Sequence, residues 1–540
     1  MLTAQQQPLH GPLGTGPMRE RSISKRQASK EMLRELARQA KHSVLESDDS
    51  SQERQTAPPP SPKIHHHNPQ PTTAPKPKPL DRTTPWSSIN ALMRFNSKDH
   101  QFWWDTTGRF FATLLEHAGY SAAEQYRELF FYAMHVAPEL GPAPDSQGNV
   151  QRWRSPGTPD STPIDFSWEW GLDGNGVVRY SFEPIGPHAG TALDPLNSHA
   201  TEDWIDRLDR QGLVQGLDLE WYRHFTRTLL PGGPGPGGDS RTSKTARDFI
   251  EETTPRAGTV VALDLEKRGP VMKMYIYPGL KAAEMGTDAL ELVARSIRGL
   301  PPAQYASLRD SVEPLLDYLQ GQGGWRWGFE TGILSIDLLD PADARIKIYV
   351  RAPHTSVEYL MDALTLGGRL DLSEAGGYSG KALADLVDFW NMLLGDSPDE
   401  LPAAHPGRAR PGFYYTVKAG RPVSPKVYVS PFWFVKSDRE VMRRMRSYLS
   451  TREDEPDMLG QMARYEGALE SYFGNQVLEQ RCGSHYYVGC ALQKDQLRLV
   501  TYLTPQTFEC ERERLQNSEA KRRNAGTQDG ETVSEIQSDS

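Results

Sequence analysis

Cysteine is scarce in this 540-residue chain, which contains only Cys482, Cys490 and Cys510. They lie near the C-terminus without the CxxC spacing or nearby histidines of a structural zinc site, so we interpret them as ordinary thiols. Long apolar runs are also missing, because no stretch reaches the roughly 18 consecutive apolar residues of a membrane helix. The first residues lack the apolar core of a signal peptide. These absences predict a cytoplasmic protein.

The chain also lacks an excess of positive charge. Its 61 lysines and arginines against 70 aspartates and glutamates give a formal net charge of −9 at pH 7. Nucleic acids and anionic membrane surfaces are normally bound by basic surfaces, so we expect neither as a partner. A site for an anionic ligand must then be a local cluster of cations.

The composition divides the chain into three parts. Residues 1 to about 85 are rich in Gln, Ser, Lys, Arg and Pro, and residues 511–540 are similarly polar. Neither segment can bury enough apolar surface to offset the entropy cost of ordering it. We predict a disordered leader over 1–85, one folded domain over 86–510 and a disordered tail over 511–540.

The folded part opens with helices and continues with strands. Apolar residues recur at three- and four-residue spacing over FWWDTTGRFFATLLEHAGY and SAAEQYRELFFYAMHVAPELG, which indicates two amphipathic helices. Strand patterns follow in pairs, separated by helical patterns such as MGTDALELVARSIRGL. The ten strand-like segments are PIDFSWEW, GVVRYSFEP, GTVVALDLE, VMKMYIYP, GILSIDLLD, ARIKIYVR, GFYYTVKA, KVYVSPFWF, SHYYVGCAL and LRLVTYLT.

Four of these strands carry a cation and a tyrosine on one face. The pairs are Lys273 with Tyr275, Lys347 with Tyr349 (preceded by Arg345), Lys426 with Tyr428, and Arg498 with Tyr502. The four tyrosines recur 74, 79 and 74 residues apart, which leaves room for two strands and their helices in each interval. A repeated ββαα architecture is the simplest explanation.

The faces of these strands point to an enclosed site. Side chains alternate along a strand, so Lys347 and Tyr349 share one face while Ile346 and Ile348 point towards the helices. For one strand alone, a solvent-exposed face of an antiparallel sheet is the usual interpretation. Recurrence in four strands favours a barrel whose lumen collects the cations and phenols. Such a cluster binds diphosphate, and tyrosine rings stabilise an allylic cation.

Carboxylates alternate on the first pair of strands in the same way. Asp165 and Glu169 share one face of the first strand, and Arg179 and Glu183 share one face of the second. A carboxylate on an inward face can accept a proton from a ligand. The other interpretation is an arginine–carboxylate pair that bridges neighbouring strands on a solvated face. Both stay open for different carboxylates.

Several stretches, in chain order, carry a family resemblance. They are WWDTTGRFFATLLEHAGY, EQYRELFFYAMHVAPELGPAP, VRYSFEPIGPHAGTALDPLN, LDLEWYRHF, ALDLEKRGPVMKMYIYPGLKA, DPADARIKIYVRA with TLGGRL, and VTYL. Spanning about 87 to 509, they resemble the fungal dimethylallyltryptophan-synthase-type prenyltransferases. The resemblance implies an α+β fold, an antiparallel ten-stranded barrel of ββαα units with helices outside. It also implies that prenyl diphosphate and an aromatic acceptor meet in the lumen.

The same resemblance implies roles for individual residues. Asp165 matches the glutamate that anchors the acceptor, although its side chain is one methylene shorter. The implied diphosphate-binding and cation-shielding side chains are Arg179, Lys273, Tyr275, Arg345, Lys347, Tyr349, Lys426, Tyr428 and Tyr502.

Two departures from the family bear on the acceptor. The lysine that indole-modifying members place before the ALDL strand is Val260 here, and the arginine that grips the carboxylate of tryptophan aligns with Gly332. We therefore expect a polycyclic phenolic polyketide to receive a dimethylallyl or geranyl group, as a step of secondary metabolism. An indole or tryptophan derivative is the alternative. The ring proton passes to Glu169, water or the released diphosphate.

The sequence also lacks the Asp-rich DDxxD pair that binds magnesium in terpene synthases. We therefore predict that no metal and no cofactor is essential. The competing hypotheses are a phosphohydrolase or terpene cyclase that uses the same anion site, and a non-enzymatic barrel that binds lipid or nucleic acid. The acidic net charge and the paired carboxylates argue against nucleic acid. The oligomeric state is open, with a homodimer among the options.

Overall fold

The computed structural model describes residues 84–508, except for 96, 172–173, 195, 215, 232–257, 267–268, 322–329, 353–354, 373–377, 395–410, 453–456 and 495. Only the last two residues of the predicted leader, 84 and 85, are among the described residues, and none of the predicted tail is. The Gly- and Pro-rich stretch over 232–238 is also outside. The proposed domain boundaries therefore stay a prediction.

Ten antiparallel strands close into a barrel, which confirms the predicted fold class. Each strand pairs with its neighbours in the sequence, and β1 pairs with β10 to complete the circle. The strands are β1 Ile164–Trp170, β2 Gly176–Phe182, β3 Thr259–Glu266, β4 Gly269–Ile276, β5 Glu330–Asp337, β6 Ile346–Arg351, β7 Gly412–Val417, β8 Ser424–Val429, β9 His485–Gln493 and β10 Gln496–Leu503.

Helices precede the barrel and connect its pairs of strands. Two or three described helices separate one strand pair from the next, so the ββαα repeat holds with extra helices in two intervals. The helices are α1 Pro85–Leu92, α2 Lys98–Trp103, α3 Arg109–His117, α4 Ala122–Phe131, α5 Ala200–Gln211, α6 Glu220–Leu229, α7 Gly279–Met285, α8 Ala289–Arg298, α9 Pro302–Leu319, α10 Val357–Thr365, α11 Gly380–Leu394, α12 Asp438–Ser450, α13 Met458–Phe473 and α14 Asn475–Gln480. Among the described helices, none combines the length and the apolar character that crossing a bilayer demands.

The outward side chains of the strands form the core with the helices. Phe166 of β1 packs between Phe110 and Phe111 of α3, with ring centroids 5.4 and 5.6 Å away. Trp168, two residues on, meets Tyr465 of α13 at 5.4 Å. These five rings are fully buried. Burial of large aromatic surfaces is a main source of stabilisation, and here it fixes which face of β1 looks into the lumen.

Two of the predicted elements differ locally from the structure. The first predicted helix is divided into α2 and α3 by a π-helical turn over Trp104–Gly108. A Cβ on Gly108 would lie 2.8 Å from the ring of Trp104, so only glycine fits there without movement. The strand predicted over KVYVSPFWF ends at Val429 and gives way to a 3₁₀ turn, because Pro431 has no N–H to continue the ladder.

Candidate active site

The lumen contains two chambers that share part of their lining. One, of about 250 Å³, is the cation chamber, and its lysines and arginines are Arg179, Lys273, Arg345, Lys347, Lys426 and Arg498. The other, of about 260 Å³, is the aromatic chamber, and its own aromatic residues are Tyr277, Tyr428, Phe432, Tyr486 and Tyr487. The residues that line both are Asp165, Ser181, Tyr275, Tyr349, Tyr414 and Tyr502.

Strand register brings the cations of the cation chamber together with three carboxylates. Arg179 of β2 donates from Nη1 to Glu169 Oε2 at 2.6 Å, and its Nε lies 3.2 Å from Asp264 Oδ1 on β3. Lys273 of β4 pairs with the same Asp264, and Arg498 of β10 with the same Glu169. The carboxylates therefore hold the cations in place from both sides.

The third carboxylate, Asp337 of β5, holds the cations of β6. Arg345 donates from Nε to Asp337 Oδ2 at 2.5 Å, and Lys347 Nζ lies 3.6 Å from Asp337 Oδ1. Among the described residues, the chamber thus contains six cations, five of which pair with Glu169, Asp264 or Asp337. The surplus of positive charge suits a multiply charged anion.

Burial weakens the charge of two lysines in the cation chamber. Burial and the neighbouring charge of Lys273 lower the pKa of Lys347 to about 7. Burial lowers the pKa of Lys426 to about 8, against the opposing pull of Glu169. Loss of solvation disfavours the ammonium form, whereas an anion placed beside it restores that form. These two side chains can therefore gain their full charge when an anion binds.

Tyrosine rings form the boundary between the two chambers. The ring centroid of Tyr349 lies 5.8 Å from that of Tyr275 and 4.8 Å from that of Tyr414. Lys426 Nζ lies 5.7 Å from the centroid of Tyr414, a distance at which a cation is attracted to the ring. The boundary can therefore stabilise positive charge that passes from one chamber to the other.

Asp165 stands at the same boundary in different surroundings from the other carboxylates. Its Oδ2 accepts a hydrogen bond of 2.5 Å from Ser181 Oγ, and the Tyr486 hydroxyl also donates to the carboxylate. Burial raises the pKa of Asp165 to about 7, and these two hydrogen bonds offset only part of the effect. A carboxyl group with this pKa can accept or hold a proton near neutral pH.

The structure brings all ten sequence-predicted site residues into the lumen. Nine of them line the cation chamber, and Tyr428 lines the aromatic chamber. The interpretation of a solvated Lys/Tyr face is wrong, because Lys273, Lys347 and Lys426 are each at most 8% exposed.

Glu183 departs from the alternation of side chains, and Glu169 follows it but has an unexpected pKa. Glu183 does not share a face with Arg179 in the lumen. It lies beyond β2, fully buried, and accepts hydrogen bonds from Trp153 Nε1 and Asn197 Nδ2. Glu169 does face the lumen, but Arg179 and Arg498 hold its pKa below the ordinary range despite burial. Glu169 is thus a poor acceptor for the ring proton.

Sequence reasoning missed the other half of the ionic network and part of the aromatic lining. Asp264 and Asp337 were overlooked although each alternates with inward positions of its strand. Arg498 was seen in the repeat but left out of the site. Three further tyrosines that line the aromatic chamber come from the tyrosine doublets of GFYYTV and HYYVG, and they are Tyr414, Tyr486 and Tyr487. No local pattern shows which tyrosine of a doublet points into the lumen.

The two family departures also have a place in this geometry. Val260 is buried in the lining of the aromatic chamber. Gly332 lies at a bulge of β5, where the pairing with β6 shifts between Thr331 and Ile333. The neighbouring strand β6 brings Arg351 into the lining of the same chamber.

Comparisons with known proteins identify the family of this chain. The family model for tryptophan dimethylallyltransferase matches residues 99–464. The 4-O-dimethylallyl-L-tyrosine synthase of Claviceps purpurea is 31% identical over 421 residues, which are 76% of this chain and 89% of that protein. Xanthone prenyltransferase B of Emericella nidulans is 30% identical over 447 residues, 79% of this chain and 92% of that protein.

The fold has solved counterparts as well. The crystal structure of NotF in complex with brevianamide F and DMSPP superposes with a TM-score of 0.64 at 21% identity, covering 79% of this chain and 99% of that chain. Prenyltransferases of this family and barrel need no essential metal or cofactor, in agreement with the sequence-based prediction. This chain belongs to the tryptophan dimethylallyltransferase family and is an aromatic prenyltransferase, an enzyme that transfers dimethylallyl groups onto aromatic acceptors.

Proposed function

We propose that this enzyme attaches a dimethylallyl or geranyl group to a ring carbon of a polycyclic hydroxylated aromatic, a reaction of secondary metabolism. The observation that carries the proposal is the tyrosine boundary, where a cation chamber for diphosphate meets an aromatic chamber whose hydrogen-bond acceptor is Asp165. With the two substrates on either side of this boundary, the diphosphate lies among cations and the aromatic acceptor lies among aromatic side chains.

The reaction begins in the cation chamber. The bond between the allylic carbon and the diphosphate oxygen breaks, and the oxygen keeps the electron pair. Arg179, Lys273 and Lys347 face the developing negative charge, and their ion pairs with carboxylates position them before the reaction. Preorganised cations of this kind lower the barrier because they need no rearrangement as charge develops.

The allylic cation then lies against the tyrosine boundary. The faces of Tyr275, Tyr349 and Tyr502, which line the lumen, carry the negative quadrupole that attracts a cation, and the rings keep away water that would quench it. The aromatic acceptor attacks from the other chamber and forms the new carbon–carbon bond.

Asp165 is the group that would bind the acceptor hydroxyl. As the ring attacks, positive charge develops on that hydroxyl, and its proton moves to the carboxylate, whose pKa of about 7 allows the transfer. The proton at the prenylated carbon is then released to water or to diphosphate, and the hydroxyl regains its own proton from Asp165. One proton leaves in total, and aromaticity is restored.

A phenolic acceptor is favoured over L-tryptophan for two reasons. The short side chain of Asp165 leaves room for a substituent that projects towards β1, as a ring hydroxyl does. Val260 stands where indole-modifying members carry a lysine. The relatives include a protein named for tyrosine and one named for a xanthone, both hydroxylated aromatics. An indole or tryptophan derivative remains the second candidate, since the matched family is named for tryptophan.

The test is a panel of acceptors with dimethylallyl and geranyl diphosphate, followed by mass spectrometry. Hydroxyxanthones and hydroxynaphthacenediones should exceed L-tryptophan at least tenfold in kcat/KM, a difference of about 1.4 kcal/mol in transition-state binding. The same rates should persist in excess EDTA. L-Tryptophan as the best acceptor would contradict the choice of a phenol, and activity that returns only with magnesium would contradict the role given to the cation chamber.

A further inference from the structure

Two neighbouring tyrosines of β9 both line the aromatic chamber. Successive side chains of a strand normally point to opposite faces, yet Tyr486 and Tyr487 share this lining. The cause is a bulge in β9, where Tyr487 pairs with Tyr502 of β10. The next residue of β10, Leu503, pairs with His485, so Tyr486 has no opposite residue. Bulges redirect side chains and are frequent next to active sites, and here the bulge adds one phenol to the chamber.

The hydroxyl of this bulged tyrosine reaches Asp165. Asp165 lies on β1, and β10 stands between β1 and β9 in the closed barrel. The side chain of Tyr486 therefore extends past β10, where its ring centroid lies 6.2 Å from that of Tyr502, and it donates a hydrogen bond to the carboxylate. Ser181 donates from β2, on the other side of β1. The carboxylate is thus held by two hydroxyl donors that come from opposite directions.

The hydroxyl of Tyr486 stays a donor near neutral pH. The side chain is buried. Burial and the charge of Asp165 raise the pKa of Tyr486 well above its ordinary value, so the phenol keeps its proton. A donor beside a carboxylate favours the ionised form of that carboxylate, and in Asp165 it offsets part of the effect of burial. Loss of this donor should therefore raise the pKa of Asp165 further.

The chain just before the bulge is fixed from outside the barrel. Asp438, the first residue of α12, accepts hydrogen bonds from three successive backbone N–H groups. The donors are Gly483, Ser484 and His485, at 3.1, 3.0 and 2.9 Å. The ring of His485 also donates from Nδ1 to Asp438 at 2.8 Å, and its Nε2 lies 2.8 Å from the hydroxyl of Tyr465 in α13. These contacts are fully buried, so the strand enters the bulge in a fixed position.

The other ionisable groups around Asp165 do not titrate in the same pH range. Among the residues that the structure describes, Tyr275, Tyr277 and Tyr502 act on or respond to its charge, and burial raises the pKa of each well above the ordinary value. The charged residues of the lumen are those of the cation chamber and Arg351 of the aromatic chamber. Saturating prenyl diphosphate keeps the two lysines of lowered pKa charged. Under that condition, the acidic limb of activity reports on Asp165.

We propose that Tyr486 is a positioning residue for prenyl transfer: the bulge of β9 directs its hydroxyl to Asp165, where it orients the carboxylate towards the acceptor and stabilises the negative charge. Tyr486 acts through Asp165 and not on the reacting atoms. This inference rests on the role given to Asp165 in the proposed function. A tyrosine that only fills space in the lining would serve equally well as phenylalanine, and this difference is the basis of the test.

The experiment measures kcat/KM against pH for Tyr486→Phe, which removes the hydroxyl and keeps the ring. The acceptor is the best phenol of the panel described above, at saturating dimethylallyl diphosphate. The acidic limb should move to higher pH by about one unit, because a hydrogen bond to a carboxylate is lost. The loss of kcat/KM is then up to about tenfold on the acidic side and smallest at high pH. Thermal unfolding checks that the variant is folded.

Two further variants assign the shift to the contact with Asp165. Ser181→Ala removes the other donor and should move the limb in the same direction. Tyr487→Phe is the matched control, because its hydroxyl lies in the same lining but accepts from Arg351 at 3.2 Å. Whatever this control does to the rate, it should leave the limb at the pH of wild type.

A double variant tests whether Tyr486 acts through Asp165. Two residues that act as a unit have effects that do not add. In the Asp165→Asn background, Tyr486→Phe should therefore cause a loss of kcat/KM that is at least about threefold smaller than in wild type at the same acidic pH. An equal loss in both backgrounds would show that the hydroxyl acts directly on a substrate, and would overturn the inference.

The outcomes separate this inference from the proposed function. If wild type has an acidic limb that Asp165→Asn removes, but the limb of Tyr486→Phe coincides with that of wild type, the positioning role is wrong and the role of Asp165 stands. If no phenol of the panel is prenylated, or wild type has no acidic limb, the proposed function fails at Asp165, and the positioning role fails with it.

Discussion

The two chambers of the lumen treat the same chemical group in opposite ways. In the cation chamber, Glu169, Asp264 and Asp337 are buried, yet adjacent lysines and arginines outweigh burial and hold each pKa below its ordinary range. At the edge of the aromatic chamber, Asp165 is buried with hydroxyl partners, and its pKa rises to about 7. Burial alone does not decide the charge of a carboxylate. Cationic partners lower the pKa of a buried carboxylate, whereas hydroxyl partners leave it raised.

This difference separates structural carboxylates from reactive ones. Three carboxylates have lowered pKa values and hold the cations of the chamber that we propose for diphosphate. One carboxylate stands near neutrality, where it can exchange a proton with a hydroxyl group. Each of the following predictions changes one side of this comparison.

The largest effect is expected in the cation chamber. Lys347→Ala removes a charge-assisted hydrogen bond to the leaving diphosphate and leaves Asp337 with less compensation. A loss of about 1.5–3 kcal/mol per bond corresponds to a roughly ten- to 150-fold fall in kcat at saturating prenyl diphosphate. Arg345→Ala should behave similarly, and both variants should remain folded by circular dichroism. Wild-type turnover in both variants would remove these residues from the mechanism.

The next effect concerns Asp165 and depends on pH. Asp165→Asn should lower kcat/KM for a phenolic acceptor about tenfold, because an amide accepts the hydroxyl proton poorly. In wild type, kcat/KM should fall as pH decreases below about 7, since the carboxylate is then protonated. Asp165→Asn should lack this acidic limb, whereas Asp165→Glu should keep one. A wild-type profile that is flat between pH 5 and 8 would argue against the role of Asp165.

Stability provides the control for that variant. The folded-state pKa of Asp165 lies above its usual value of 3.8, so the folded state binds more protons than the unfolded state between these values. The contribution of Asp165 to stability is therefore fully present below pH 3.8 and is lost as pH rises through about 7. At pH 8, Asp165→Asn should unfold at the same temperature as wild type or higher. A lower temperature would mean that lost activity reflects damage to the fold.

The smallest expected effect is proton uptake by the protein when diphosphate binds. Diphosphate favours the charged form of Lys347, so its pKa rises from about 7 when the anion binds. Affinity is then greatest below pH 7 and falls by up to about tenfold per pH unit above it, until the raised pKa is reached. At pH 8, titration calorimetry of inorganic diphosphate in buffers of different ionisation enthalpy should show proton uptake.

Arginine substitutions identify the lysine responsible. The guanidinium in Lys347→Arg stays charged, so this variant should lack the proton uptake that Lys347 contributes. Because diphosphate itself titrates equally in both experiments, the difference from wild type reports on the lysine alone. Lys426→Arg measures the share of the second lysine, whose pKa burial lowers to about 8. Equal uptake in wild type and both variants would show that neither lysine titrates on binding.

Much of this arrangement could be predicted because a strand repeats every two residues. The alternation of Lys347 and Tyr349 with Ile346 and Ile348 is enough to assign an inward and an outward face. Its recurrence at intervals of 74 to 79 residues indicates the repeat that the barrel realises. The predicted cations and tyrosines therefore all lie in one lumen.

The partners of these residues could not be predicted in the same way. Arg498 and Glu169 are 329 positions apart in the chain, and they meet only because β10 closes against β1. The β5 bulge at Gly332 depends on how β5 pairs with β6, which the identity of a single residue does not predict.

By itself, the sequence determined the periodic features: ten strand patterns, their inward cations and phenols, and the helices that cover the outward faces. These follow from local alternation and from apolar surface that must be buried. The tertiary structure alone decided which charges neutralise one another and why Asp165 differs from the other carboxylates. The physical reason is that solvation and charge pairing depend on distances through space, and barrel closure sets those distances between residues far apart in the chain.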